Sequence, residues 1–312
     1  MATSVTSTSN YSGRVAGEIV GKMYQEADTL QKGLLTVFQD VNYKLNLRLI
    51  ELTGGRRAYT CGFAPAGSVT LSEKVLEPIK FKDDFELCKE DFRNQWNDGD
   101  LGASAWNEGN MSEIMDAILA EKLSQEAVAI DRMIWSGNNT TNTNEFDGFL
   151  TQFAKDTGII HVAGTASTTA NVVAEMTKAV VAMTPEMQDA DGLKVMVSRN
   201  IYNNYKLYLI SQGLTNGLGG NANADALTFG DWDVVLVKGL PANTIVITNP
   251  KNLVLATGLT ADFNNIRLVD SDETHLDGKI IGSMVYNGAV GYYRSNEIVW
   301  YTTVAKPTPP AG

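Results

Sequence analysis

The run from Ser112 to Trp135 constrains this chain more than any other stretch. Ile114, Met115, Ile118, Leu119, Leu123, Ala127, Ile130 and Ile134 recur at mostly three- and four-residue intervals, while Asp116, Glu121, Lys122, Glu126 and Arg132 face elsewhere. That is the period of an amphipathic helix. Asn110 with Glu113 three residues on opens it, and Ser136-Gly137 closes it. At 1.5 Å per residue, roughly two dozen residues make a rod of about 35 Å, a long spine for one subdomain. Its end is unusual: AIDRMIWSGNNTTNTNEFDGFL (129–150) stops at a glycine, crosses a patch of Asn and Thr, and restarts at Phe-Asp-Gly-Phe. Such a patch is either a catalytic or sugar-modified loop or a structural joint.

The second constraint lies upstream. Tyr43 to Leu49 alternates with period two, as a half-exposed strand does. TGGRRAYTCGFAPAGSVTLS (53–72) then sets glycines among β-formers, with strands on both sides, so a long hairpin is expected. A two-stranded arm is marginal alone in water and its edges are unpaired, so it needs a partner surface.

Elsewhere the pattern is ordinary. The first dozen residues offer almost nothing to bury and read as a frayed tail. From Gly13 to about Asp40, Val15, Ile19, Met23, Leu30, Leu34 and Phe38 predict an amphipathic helical arm. Asp83-Asp84-Phe85-Glu86 resembles a capping box, and Phe85, Cys88, Phe92 and Trp96 follow at helical spacing. Beyond the joint an α/β region is expected. It has helices at 170–183 and 201–210, and strands at 193–197, 232–237, 244–248, 253–256, 266–269, 279–293 (broken at Asn287-Gly288) and 298–304. Residues 213–225 read as a long glycine-rich loop, and AKPTPPAG as an extended tail.

Composition narrows the function classes. With 312 residues and 44% hydrophobic content, the chain can bury a sizeable core. No stretch has the 18 or more apolar residues of a membrane helix, and MATSVTSTSN lacks the basic and apolar regions of a signal peptide, so the expectation is a cytosolic protein where it is made. Cys61 and Cys88 form no disulfide framework and read as reduced and structural. The net charge of −11 argues against general nucleic-acid binding. Charge is uneven, however: residues 1–60 carry seven basic residues against five acidic ones, a balance of +2, which leaves −13 for the rest. A mildly basic arm on an acidic body fits intersubunit contact at least as well as contact with a polyanion.

No constellation demands a reaction. His161 and His275 have no His or Cys at ligand spacing, and Ser136 sits in W-S-G-N rather than a nucleophile elbow. GLGGNANAD lacks the Lys-Ser or Lys-Thr of a phosphate loop and precedes no helical pattern. Asp270-Ser271-Asp272-Glu273 is either a weak calcium ligand set or a solvated acidic turn. Asn138-Asn139-Thr140-Thr141 matches the glycosylation pattern, which means little without a secretory signal. Arg56-Arg57, without interleaved aromatics, fits a neighbour's carboxylates better than nucleic acid. No catalytic residue, cofactor or metal is expected.

The order of elements carries a resemblance. KVLEPIKFKDDFELCKEDF (74–92), EKLSQEAVAIDRMIWSGNNTTNTNEFDGFL (121–150) and FGDWDVVLVKGLPANTIVITNPKNLVLATG (229–258) resemble three regions of the tailed-bacteriophage major capsid protein of the Hong Kong 97 type. These are the returning strand of its extended loop leading into the first helix of its peripheral domain, its spine helix with the restart after the glycine stop, and its axial-domain strands. The resemblance spans about residues 13–304.

It implies an α+β fold: an N-terminal tail and arm (1–48), an extended hairpin loop (49–80), a peripheral domain (81–164) with its spine helix at 112–135, an axial domain (165–275), return strands (276–304) and a C-terminal tail (305–312). It further implies a non-enzymatic shell protein that assembles with copies of itself into pentamers and hexamers. The shell, icosahedral or prolate, would enclose double-stranded DNA inside a virion built in the host bacterial cytoplasm, with no membrane.

Arg56, Arg57, Tyr59 and Phe63 on the hairpin are then the expected intersubunit contacts, and Ile118, Leu119, Leu123, Ile130 and Ile134 the spine core. Only about a dozen Ser/Thr-rich residues precede the arm, so a separate scaffolding protein is expected, together with portal and possible decoration proteins. Some members join subunits by a Lys-Asn bond placed by the extended loop. Here the tip offers Arg56 and Arg57 instead, and a non-covalent shell is expected. An encapsulin-like compartment and a cytosolic α/β enzyme are the alternatives.

Overall fold

A computed structural model describes residues 10–11, 27–41, 43–56, 58–59, 61, 67–88, 112–213, 227–258, 266–271 and 278–303. In chain order the elements are β1 (Asn10–Tyr11), α1 (Asp28–Gln31), β2 (Thr36–Phe38), β3 (Leu45–Gly54), β4 (Gly67–Leu76), β5 (Ile79–Cys88) and α2 (Ser112–Ser136). There follow α3 (Phe149–Lys155), β6 (Ile160–Ala163), α4 (Val172–Val181), α5 (Pro185–Gln188), β7 (Lys194–Val197) and α6 (Arg199–Ser211). The rest are strands: β8 (Leu227–Phe229), β9 (Trp232–Leu236), β10 (Ile245–Thr248), β11 (Leu253–Ala256), β12 (Ile266–Asp270), β13 (Lys279–Tyr292) and β14 (Val299–Thr302).

One mixed sheet runs β6-β14-β10-β7-β9-β8. Its middle strands, KVMV, IVIT and VWYT, are almost wholly apolar and β-branched or aromatic, the composition of strands covered on both faces. Alternation sends their side chains two ways. Val195, Val197, Ile245, Ile247, Val299 and Tyr301 pack with Val172 and Met176 of α4 and Ile201 and Tyr205 of α6. Met196, Val246 and Trp300 point to the other face, into a core with Ile130 and Ile134 of α2 and Phe149 and Phe153 of α3.

A second sheet runs β1-β12-β13-β11-β2, with β5 also on β13. The 14 residues of β13 serve as its backbone. Their first ten, Lys279 to Gly288, pair with β5, and the next four, Ala289 to Tyr292, with β11. The expected break at Asn287-Gly288 is therefore absent. Asn287 sits instead at the exchange of partners and bridges two neighbours, its Oδ1 accepting from Gly258 N–H at 2.6 Å and its Nδ2 donating to the Val41 carbonyl. The third sheet is the hairpin β3-β4 alone.

Two helix expectations fail. Asp83 to Cys88 is strand, not a capped helix, because alternate residues of β5 face the body and solvent and ten rungs to β13 outweigh the local capping signal. Phe92 and Trp96 lie outside the described residues. The arm is helical only over Asp28–Gln31 within the described residues, and Thr36–Phe38 is a strand parallel to β11. Gly33 at φ +60° turns the chain between the two. Helix α3 and strand β6 had no sequence signal of their own beyond four to seven residues. Among the described residues no helix is long and apolar enough to cross a membrane.

Candidate assembly interface

The hairpin pairs Leu45 with Leu76 through to Gly54 with Gly67, ten rungs. At about 3.4 Å per residue the ribbon is about 30 Å long. Pairing sorts its residues onto two faces. Leu45, Leu47 and Leu49 share one with Leu76, Lys74 and Ser72. At the root, Leu47 and Leu76 are buried and pack with Val41, Val254 and Ala256 against the second sheet. The opposite face carries the cross-strand pairs Ile50–Leu71 and Leu52–Val69, with Val75 nearer the root. These five are 47–76% exposed; Ile50, Leu52, Val69 and Leu71 form one apolar patch, and Val75 stands apart from it beyond the Arg48–Glu73 rung. Arg48 and Glu73 pair across the strands on that same face at 3.1 Å. Beyond the strip, Arg56, Tyr59 and Cys61 are exposed. Arg57 and Phe63 lie outside the described residues.

Lys44 and Glu77 close the hairpin's own two ends at 2.6 Å. Two further contacts tie the root to the body. Leu76 presses on Gly291, where an added Cβ would lie 2.4 Å from Leu76 Cδ2. Lys74 Nζ stands 3.2 Å from the centre of the Tyr292 ring, and the Tyr292 hydroxyl donates to Asp156 Oδ2 at 2.7 Å. Burial lowers the Lys74 pKa from 10.5 to about 8, with the attraction of Asp156 opposing it. Burial, and the bond to Asp156, push Tyr292 well above the usual phenol range.

The spine helix is α2. Ile130 and Ile134 are fully buried and Leu123 packs on the same core; of Ile118 and Leu119 only the backbone, in the helix, is described. Three residues missed in the sequence stand beside them. Trp135 and Met133 are buried, and so is Asp131, a carboxylate on the core face of the helix. Asp131 Oδ1 accepts the Thr29 N–H at 3.0 Å, while Trp135 Nε1 donates to Thr29 Oγ1 at 2.8 Å. Burial raises the Asp131 pKa, eased by the Thr29 bonds and reinforced by Asp28. Asp28 is held in turn by Lys32 at 2.9 Å and Lys238 at 3.4 Å. The arm is thus fixed to the spine by polar groups, a signal that an apolar periodicity search passes over.

The Asn/Thr patch is a joint. Gly148 N–H donates to the Gly137 carbonyl at 2.9 Å, and Thr151 Oγ1 to the same oxygen at 2.7 Å. Asn138 Oδ1 accepts from Thr140 and Thr141 N–H, an Asx turn. Glu145, buried, pairs with Arg132 of the helix and accepts from Asn138 N–H, so the loop folds back on the rod it leaves. Ser136 gives its hydroxyl to the Arg132 carbonyl, as a helix end does.

The remaining chemical candidates are scattered. His161 is on β6 with its ring edge-on to Trp300 at 5.1 Å, and His275 lies outside the described residues. Ser271 donates its N–H to the Lys279 carbonyl, while Asp272 and Glu273 lie outside the described residues. Among the described residues no group of three or more His, Cys, Asp or Glu could hold a metal.

No protein-family model and no curated protein matches the chain. Solved structures do. The satellite phage P4 procapsid including the size determination protein aligns over 93% of this chain and 99% of that one, with 15% identity and TM-score 0.54. The capsid of Myoviridae phage XM1 aligns over 88% and 92%, with 12% identity and TM-score 0.56. A virus-like particle from Pyrococcus furiosus aligns over 91% and 96%, with 10% identity and TM-score 0.50. The fold, a mixed α+β body with a projecting hairpin, is that of phage capsid proteins.

Proposed function

We propose that the chain is the major capsid protein of a tailed bacteriophage, a structural protein rather than an enzyme. Pentamers and hexamers of it would build an icosahedral or prolate shell around double-stranded DNA. One observation carries the reading: on a capsid fold, the hairpin residues Ile50, Leu52, Val69 and Leu71 are 56–76% exposed on one face. Burying such side chains stabilises by about 25 cal/mol per Å² removed from water, and a neighbouring copy supplies the cover. Arg56, Arg57, Tyr59 and Phe63 continue that contact at the tip. The divisions at 1–48, 49–80, 81–164, 165–275 and 276–304 are the arm, loop, peripheral, axial and return segments of this reading.

A separate scaffolding protein, a portal and decoration proteins are its natural partners, and the virion is its place. DNA is enclosed without sequence-specific contact, since an acidic body at −11 offers phosphates little. The test is light scattering with electron microscopy of the expressed chain: pentamers, hexamers or closed shells are expected, and a discrete monomer would refute the proposal. Deleting residues 53–72 should leave a soluble chain that no longer assembles, and normal shells from the deletion would count against the hairpin's role. The likeness to the Pyrococcus furiosus particle favours a second reading, an encapsulin-like compartment. Particles filled with protein rather than DNA when purified from the native host would select it.

A further inference from the structure

A lysine at the root of an apolar hairpin needs a reason. On the face of β4 that turns toward the body, the residues nearer the tip are Ser72, Thr70 and Ser68, all exposed. Lys74 is the last residue of β4 toward the tip that is even partly covered. Its ammonium lies on the face of Tyr292, itself 2% exposed, and the hydroxyl of that ring is bound to Asp156 at the end of α3. Three separate elements, hairpin, β13 and α3, therefore meet through one charge. Leu47, directly opposite Lys74 on β3, and Leu76, nearer the root, are apolar contacts without directional preference, on which a ribbon can rock. Beside the stack a groove of 240 Å³ separates Val75 and Glu77 of the hairpin side from Asn139, Phe146 and Asp147 of the joint, room into which the root could turn.

We propose that Lys74 is a latch: its stacking on Tyr292 fixes the direction in which the hairpin leaves the body. Without it the ribbon pivots on Leu47 and Leu76, and the strip Ile50–Leu71 and Leu52–Val69 no longer points one way. That the direction matters for assembly rests on the hairpin being the intersubunit arm. The latch itself does not.

The chain carries its own probes, since its two cysteines are Cys61, exposed on the hairpin, and Cys88, at the end of β5 on the body. Spin labels on both, in full chain diluted with unlabelled chain, report the hairpin–body distance by pulsed electron resonance. The wild type and Lys74→Arg, which keeps a cation over the ring, should give one narrow distance. Lys74→Ala should spread it, with the population outside the native peak rising on the order of tenfold. Lys74→Met, which keeps the stem and loses the charge, should spread it too, and it serves if the alanine variant folds poorly. A methionine variant whose distribution superimposes on the wild type overturns the latch. Light scattering on the same samples separates the two ideas. A spread distance with undiminished particles supports the latch and counts against the arm; lost assembly with an unchanged distance overturns the latch and leaves the arm.

Discussion

Two glycines hold the joint at the end of the spine, and neither is there for its backbone angle. A Cβ at Gly137 would sit 2.4 Å from the Phe146 carbonyl oxygen and 2.6 Å from that of Met133, and one at Gly148 would sit 2.6 Å from the latter. Backbone cannot move aside as a side chain can, so Gly137→Ala or Gly148→Ala should each cost about 1–3 kcal/mol in a denaturant titration. A change below a few tenths would mean that the chains are not so close. Glu175 is a buried carboxylate on α4. Burial pushes its pKa up, but bonds from Lys178, Tyr301 and Thr165 outweigh burial and bring it from 4.5 to about 2. A depressed carboxyl contributes stability above its free pKa and loses it on acidification. The advantage of wild type over Glu175→Gln should therefore hold at neutral pH and fade between about pH 4.5 and 2, read as urea midpoints. The glycine stop at Gly137 was legible in the sequence; Asp131 and Glu175 were not, because a buried carboxylate is recognisable only once its donors are in place.

Among the elements, those with long unbroken periods were legible. The spine followed from apolar spacing over roughly two dozen residues, and the hairpin from alternation over 43–49 followed by glycines set among β-formers at 53–72. Strand β5 was misread because Asp83 and Glu86 mimic a cap, while the strand that overrules it, β13 with its ten rungs, lies about 200 residues away in the chain. Helix α3, at seven residues, is too short to show a period and is held by Trp135 and Phe153 stacking around Phe149 at 5.3 and 6.0 Å. Leu52→Glu and Leu71→Glu change residues 76% and 70% exposed, so melting of the isolated chain should move little, while assembly followed by light scattering should fall steeply. Equal loss of both would mean that the strip is covered within the chain.

At the scale of the molecule, the arrangement follows from one sheet shared between two cores. Val299 and Tyr301 look to α4 and α6, Trp300 to the spine, so neither core closes without β14. That strand lies at the end of the described chain, beyond the reach of any local pattern that would pair it with β10 and β6. Because β5 runs directly into the hairpin through Glu77-Pro78, its ten rungs act as a gauge block between the body and the hairpin root. Removing two residues from β5 should keep every side chain on its proper face and draw the hairpin back by about 7 Å; removing one should turn Phe81 out of the core and fail to fold. Parity, rather than length, would then decide which shortened chains survive, and a set of one- to four-residue deletions scored by soluble yield would show it as an alternation.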